Sequence, residues 1–199
     1  LARDGVAKVS ARDLAPAIAR GGDGATTVAA TLVIARLAGI EVFATGGIGG
    51  VHRSATPDRP APVDESADLA ELAQTPMVVV CAGAKSILDL PATWERLETL
   101  GITIVGYRTS ELPGFFAAET GIRLANRVET AGDVAEIFRA ERSLGRPGAV
   151  LVVQPPPEEH RMPRRVVDAA VERALGEASA AGVSGAAVTP YLLAAVERE

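Results

Sequence analysis

Four short apolar runs recur along the chain: Ile40–Ala44, Met77–Ala82, Ile102–Gly106 and Ala149–Val153. Each is rich in β-branched residues, and longer segments of helical character separate them. Strand-length runs that alternate with helices leave few solutions, because parallel strands need helical crossovers that pack on the sheet. The expected class is α/β, a three-layer α/β/α arrangement with a mostly parallel or mixed central sheet. The runs are continuously apolar, which predicts burial on both faces. Ser10, with Asp13 three residues on, predicts a capped helix to Arg20 that stops at Gly21. Other helices are expected from Thr26 or Thr27 to Leu37, Ser66 to Ala73, Leu90 to Leu100 with Pro91 at its start, Thr130 to Ser143, and Pro163 to Ala181. Thr189-Pro190 opens a short terminal helix.

With 199 residues, 48% hydrophobic and 23% charged, one domain spanning 1–199 is expected, and no repeat or linker divides it. The segment SATPDRPAPV at 54–63 reads as an exposed excursion, and Pro155-Pro156-Pro157 as a turn. A net charge of -5 argues against nucleic acid and anionic membrane as partners. No apolar run approaches the roughly 20 residues of a membrane helix. Cys81 is the only cysteine, which removes any intrachain disulfide and makes the cytoplasm the expected compartment. Its place inside an apolar strand predicts a core role.

Chemistry is expected beyond the carboxyl ends of the strands. The first strand leads into Thr45-Gly46-Gly47-Ile48-Gly49-Gly50-Val51-His52. Four glycines in five positions either let backbone N–H groups approach an anion or simply make a tight turn. The spacing is not that of a dinucleotide fingerprint. The second strand delivers Gly83-Ala84-Lys85-Ser86. Of 20 cationic residues, 18 are Arg and only Lys8 and Lys85 are Lys. An amine at the mouth of a buried strand is poorly hydrated and so disposed to act as a nucleophile, whereas a guanidinium forms no Schiff base. The plain alternative is a lysine left over in an Arg-biased composition. Lys8 precedes a helix start, where a cation is disfavoured unless a bound anion accompanies it; an ordinary exposed lysine is the other reading. In Asp64-Glu65-Ser66-Ala67-Asp68 the polar residues either cap a helix or hold a divalent cation. His52 reads as an acid, a base, a hydrogen-bond donor or a structural histidine, and His160 as a surface residue.

Together AKVS at 7–10, GGDGATTVAAT at 21–31, FATGGIGGVHR at 43–53, SADL at 66–69 and CAGAKSILDLPAT at 81–93 resemble the pseudouridine-5'-phosphate glycosidase, or indigoidine-synthase-A-like, family. The match continues through TIVGYRT at 103–109 and AVTPYLLA at 187–194. The resemblance implies reversible C–C glycosidic cleavage of pseudouridine 5'-phosphate to uracil and ribose 5-phosphate. It further implies Lys85 as the Schiff-base nucleophile, His52 in the sugar site, and Lys8, Val28, Ser66, Ala67 and Asp68 as substrate contacts. Asp64 matches the manganese-binding position, and a homotrimer is expected. Some relatives instead join ribose 5-phosphate to an aromatic acceptor, and a non-catalytic sugar-phosphate-binding remnant is the reading from another class. Two departures stand out: the proline-rich connection at 54–63, and Glu65 where the family has an apolar residue. The resemblance also implies a general-acid glutamate in an N-terminal region and a further C-terminal segment, neither of which is expected among these 199 residues. On this reading the chain alone turns over slowly or not at all.

Overall fold

The computed structural model describes residues 6–53, 64–183 and Tyr191. The proline-rich stretch at 54–63 and the terminal helix expected from Thr189 lie outside the described residues.

Two sheets form, both parallel. The smaller pairs β1 (Ala7–Val9) with β2 (Gly24–Thr26). The larger contains β3 (Val42–Ala44), β4 (Val78–Cys81), β5 (Thr103–Tyr107), β6 (Arg127–Val128) and β7 (Val150–Val153) in the order β3-β4-β7-β5-β6. The helices are α1 (Leu14–Arg20), α2 (Val28–Leu37), α3 (Ala67–Leu72), α4 (Leu90–Thr99), α5 (Ala131–Ser143) and α6 (Arg164–Ala180).

Side-chain alternation along β4 and β7 separates the two faces of the large sheet. Val79, Cys81, Leu151 and Val153 pack against Leu32 of α2, Leu69 of α3, Leu97 of α4 and Val171 of α6. Val78, Val150 and Val152 join Val105, Val128 and Val134 of α5 on the other face. The layers are therefore α/β/α, with α2, α3, α4 and α6 on one side and α5 on the other among the described residues.

Local chemistry explains the helix ends. The Thr27 hydroxyl accepts the Ala30 N–H at the start of α2, and Asp89 accepts the Ala92 N–H at the start of α4. Thr130 and Asp133 form a reciprocal capping box at α5. Gly39 and Gly101, just past α2 and α4, take φ of 72° and 67°.

The helical run expected from Ser10 is present over residues 11–20, with the Ser10 N–H on the Asp13 carboxylate at 3.0 Å and Gly21 at φ 64° past its end; only its first turn, Ala11–Asp13, is 3-10. The structure corrects two expectations. Strands β1, β2 and β6 lie where no apolar run marked them, since two or three residues are too few to show a period. The run Ile40–Ala44 is not buried on both faces: among the described residues β3 pairs on one side only, as an edge strand, and Val42 is 61% exposed.

Candidate active site

Beyond the carboxyl ends of β3 and β4 the two chains keep running side by side. Ala82 donates its N–H to the Gly46 carbonyl, Ile48 to Gly83, and Lys85 to Ile48, all at 3.0–3.1 Å. This extension of the ladder brings the glycine loop and the Lys85 loop together. Lys85 itself is half-buried. The chain then turns so that His52 N–H reaches the Asp64 carbonyl at 2.8 Å and Ser66 N–H reaches Gly50 at 2.9 Å. Asp89 N–H on the far side reaches Val51 at 2.9 Å.

Most glycines of the loop serve close packing. None of residues 46, 47, 49 and 50 takes a positive φ. A Cβ on Gly49 would lie 2.2 Å from the Ser66 hydroxyl, and one on Gly50 2.4 Å from the Thr93 hydroxyl. Four of the loop's donors are spent inward: Ile48 on Gly83, Gly49 on the Asp68 carboxylate, Val51 on the Thr93 hydroxyl, His52 on Asp64. The close packing fits the tight-turn reading of this stretch, and four of its N–H groups are withdrawn from any anion.

The Asp64–Asp68 segment divides between its two readings. Ser66 caps α3, its hydroxyl accepting the Asp68 N–H at 3.3 Å. The Asp68 carboxylate is buried and accepts N–H groups from Ala29 and Gly49, each at 2.8 Å. Its side chain is therefore turned into the protein, although Ala67 beside it is exposed. Asp64 differs. Its side chain is 67% exposed and one oxygen lies 2.7 Å from His52 Nδ1. Glu65 forms a two-pronged pair with Arg96 of α4 at 2.7 and 2.9 Å, which supplies a physical reason for a charge where the family is apolar.

Val28, half-buried, begins α2, which the Asp68–Ala29 bond ties to the glycine loop. Lys8 is exposed on β1, whose partner β2 runs into Thr27. The helical run after it spans residues 11–20, and near its start the Asp13 carboxylate accepts the Ser10 N–H at 3.0 Å. Lys8 shares this end of the fold through the β1–β2 pairing and the Thr27 N–H to Val9 carbonyl bond of 2.9 Å. Cys81 is buried as expected, and burial pushes its thiol up to about 12, which leaves it unfit as a nucleophile. His160 is exposed.

Sequence reasoning missed the scaffold behind the loops. Thr93 on α4 accepts the Val51 N–H at 2.9 Å and donates to the Asp89 carbonyl at 2.6 Å. Arg53 donates to the carbonyls of Leu88 and Ser86, bracing the turn after Lys85. Such residues act through backbone groups and carry no motif of their own. On the Ser86 side of this turn lies a cleft of about 340 Å³, with Arg53, Asp89, Glu119, Arg164 and Asp168 in its wall.

Known proteins share this architecture. A relative named pseudouridine-5'-phosphate glycosidase from Gemmatimonas aurantiaca is 63% identical over 198 residues, covering 100% of this chain and 63% of its own. One of the same name from Herpetosiphon aurantiacus is 54% identical, covering 98% and 63%. Among solved structures, the prealnumycin C-glycosynthase AlnA in complex with ribulose 5-phosphate superposes with a TM-score of 0.88 at 43% identity, covering 99% of this chain and 64% of that one. An indigoidine synthase A-like protein from Thermotoga maritima gives 0.86 at 40% identity, covering 98% and 62%. The chain thus spans just under two thirds of the length of these relatives. The family model described as Indigoidine synthase A like protein matches residues 1–199, and the chain belongs to that family.

Proposed function

We propose that this chain carries the nucleophile and sugar-phosphate site of a pseudouridine-5'-phosphate glycosidase, which reversibly cleaves the C–C glycosidic bond to give uracil and ribose 5-phosphate. The observation that carries the reading is the extended β3–β4 ladder. It holds Lys85 beside the glycine loop at the carboxyl end of the sheet, the usual ligand position in α/β folds. The names and high identity of the relatives support the same reaction.

In the cleavage direction the Lys85 amine attacks C1' of the sugar, and the ring oxygen leaves as a hydroxyl after taking a proton. The nitrogen lone pair then expels the base, whose C5 takes a proton, and an iminium remains at C1'. Water hydrolyses it, releasing ribose 5-phosphate and the free amine. The covalent route divides one difficult C–C cleavage into easier steps. Lys8, Val28, Ser66, Ala67 and Asp68 border the substrate in this reading. The Asp68 carboxylate shapes this border by tying Ala29 and Gly49 together. His52 lies on the sugar side.

Manganese belongs to the same proposal. Among the described residues no group of three or more His, Cys, Asp and Glu is placed to hold a metal. The donor set around the exposed Asp64 fits a hard cation held by one carboxylate, water and substrate oxygens. Bound there, manganese would supply positive charge to the sugar phosphate. The His52 contact orients the Asp64 carboxylate from its other side. Activity lost on chelation and restored by manganese in the unaltered protein, but not in Asp64→Ala, tests this assignment. A homotrimer working in the cytoplasm completes the reading, and sedimentation equilibrium and cell fractionation test those two points.

The decisive experiment is borohydride reduction with ribose 5-phosphate followed by peptide mapping. An adduct on Lys85 that is absent from Lys85→Arg supports the mechanism; binding without any trapped adduct overturns it. A synthetic role with an aromatic acceptor is the second reading, favoured by the close superposition on a C-glycosynthase. Incubating ribose 5-phosphate with uracil and with other aromatic acceptors separates the two.

A further inference from the structure

Phe115 holds its backbone in the left-handed region, at φ 66°. For a bulky L residue this conformation is costly, because Cβ crowds the following carbonyl. Core packing does not offset the cost. The neighbouring Phe116 packs against the main hydrophobic cluster, whereas Phe115 belongs to neither cluster and is only half-buried. The conformation is imposed by the surroundings: Phe115 N–H donates to the Ala82 carbonyl at 2.9 Å, and Gly114 bridges to Gly83.

The ring is thereby seated at the carboxyl end of β4, against the glycine loop. A Cβ on Gly47 would lie 2.5 Å from Phe115 Cδ2, and one on Gly46 3.4 Å from Cε2, so the ring rests where only glycine leaves room. That same Gly47 position is 3.0 Å from the Gly83 carbonyl, which places the ring over the junction of the glycine loop and the loop that carries Lys85. Phe116 meets it edge-on, with centroids 4.6 Å apart and planes at 79°, and fixes its tilt. Backbone strain held by its surroundings outside the core is characteristic of ligand clamps.

We propose that Phe115 is the aromatic platform on which the planar base stacks, and so a specificity-determining residue for the acceptor ring. The identity of that ring as uracil rests on the proposed function; the platform itself rests on the geometry of residues 46, 47, 83 and 115. Stacking recognises a flat π-face rather than a hydrogen-bond pattern, so the residue favours aromatic heterocycles over aliphatic compounds of the same volume.

The test measures two properties of the intact protein separately: equilibrium binding of uracil, and borohydride trapping of ribose 5-phosphate. Phe115→Leu is expected to weaken uracil binding about tenfold, the loss of one stacked base. Phe115→Tyr should retain it, and the Lys85 adduct should form as before in both. Gly47→Ala, which pushes the ring aside without altering it, should weaken uracil binding as well and keeps the test open if Phe115→Leu does not fold. Equal uracil affinity in the unaltered protein and in the folded variants overturns the platform, whatever happens at Lys85. An unaltered protein that traps no adduct, yet loses uracil affinity in the variants, overturns the Schiff base and leaves the platform standing.

Discussion

Asp68 accepts the Gly49 N–H at 2.8 Å with one carboxylate oxygen while the other accepts Ala29 at the same distance, joining α2 to the loop before His52. Gly49 and Ala29 lie 19 and 39 residues away in the chain. Asp68→Asn keeps the shape but turns an amide NH2 toward one of two N–H donors, leaving a buried donor unmatched. The expected loss is about 2 kcal/mol in urea unfolding. A loss below about 0.5 kcal/mol would show that the tie is not needed for stability.

Gly83, two residues past β4, has φ 89°, and a Cβ there would stand 1.9 Å from the Pro113 carbonyl oxygen. The obstacle is backbone on both sides, so no side-chain rotation relieves it. Gly83→Ala is expected to cost about 3 kcal/mol or more, seen as a lowered urea midpoint or loss of soluble protein. An unchanged midpoint would contradict this account of the Lys85 loop.

The Cys81 thiol is pushed by burial from an ordinary 9.0 up to about 12, against a smaller opposing effect of a backbone hydrogen bond with Gly83. The folded state therefore holds the proton more tightly than the unfolded chain. Its contribution to stability is complete below pH 9 and is lost as pH rises from 9 toward 12. Urea midpoints measured between pH 7 and 11 should fall more steeply above pH 9 than those of Cys81→Ala. Native protein should also resist thiol alkylation at pH 8 until unfolded.

Thr130 and Asp133 cap α5 on the face of the sheet remote from Lys85. Thr130→Ala should cost about 1 kcal/mol. The same hydrogen bonds, from the Thr130 backbone first, hold the Asp133 carboxyl below its usual value of 3.8. That contribution is present above the ordinary carboxylate range and fades as pH falls through it. Borohydride trapping at Lys85 is expected to be unaffected by the substitution, which makes it a stability control.

Much of this molecule was readable from periodicity and punctuation. Four apolar runs became β3, β4, β5 and β7, and the caps Thr27 and Thr130 with Pro91 and the terminators Gly39 and Gly101 bounded helices as local chemistry requires. Strands β1, β2 and β6 were illegible because they exist through pairing, not through an apolar run. The exposure of β3 was equally hidden, since a run of apolar residues does not reveal which strand ends a sheet.

At the site, the sequence by itself determined which chemistry is on offer: two lysines, one histidine beside the glycines, and the Asp64–Asp68 segment, all in motifs that mark the family. Only the tertiary structure decided how each is used. It turned Asp68 inward and left Asp64 outward, spent four of the glycine loop's donors on the protein, and set Phe115 in a strained seat over Gly47. The physical reason is that hydrogen-bond capacity and packing room are shared among segments far apart in the chain. A residue's motif specifies its functional groups, while its neighbours in space determine which of them remain available.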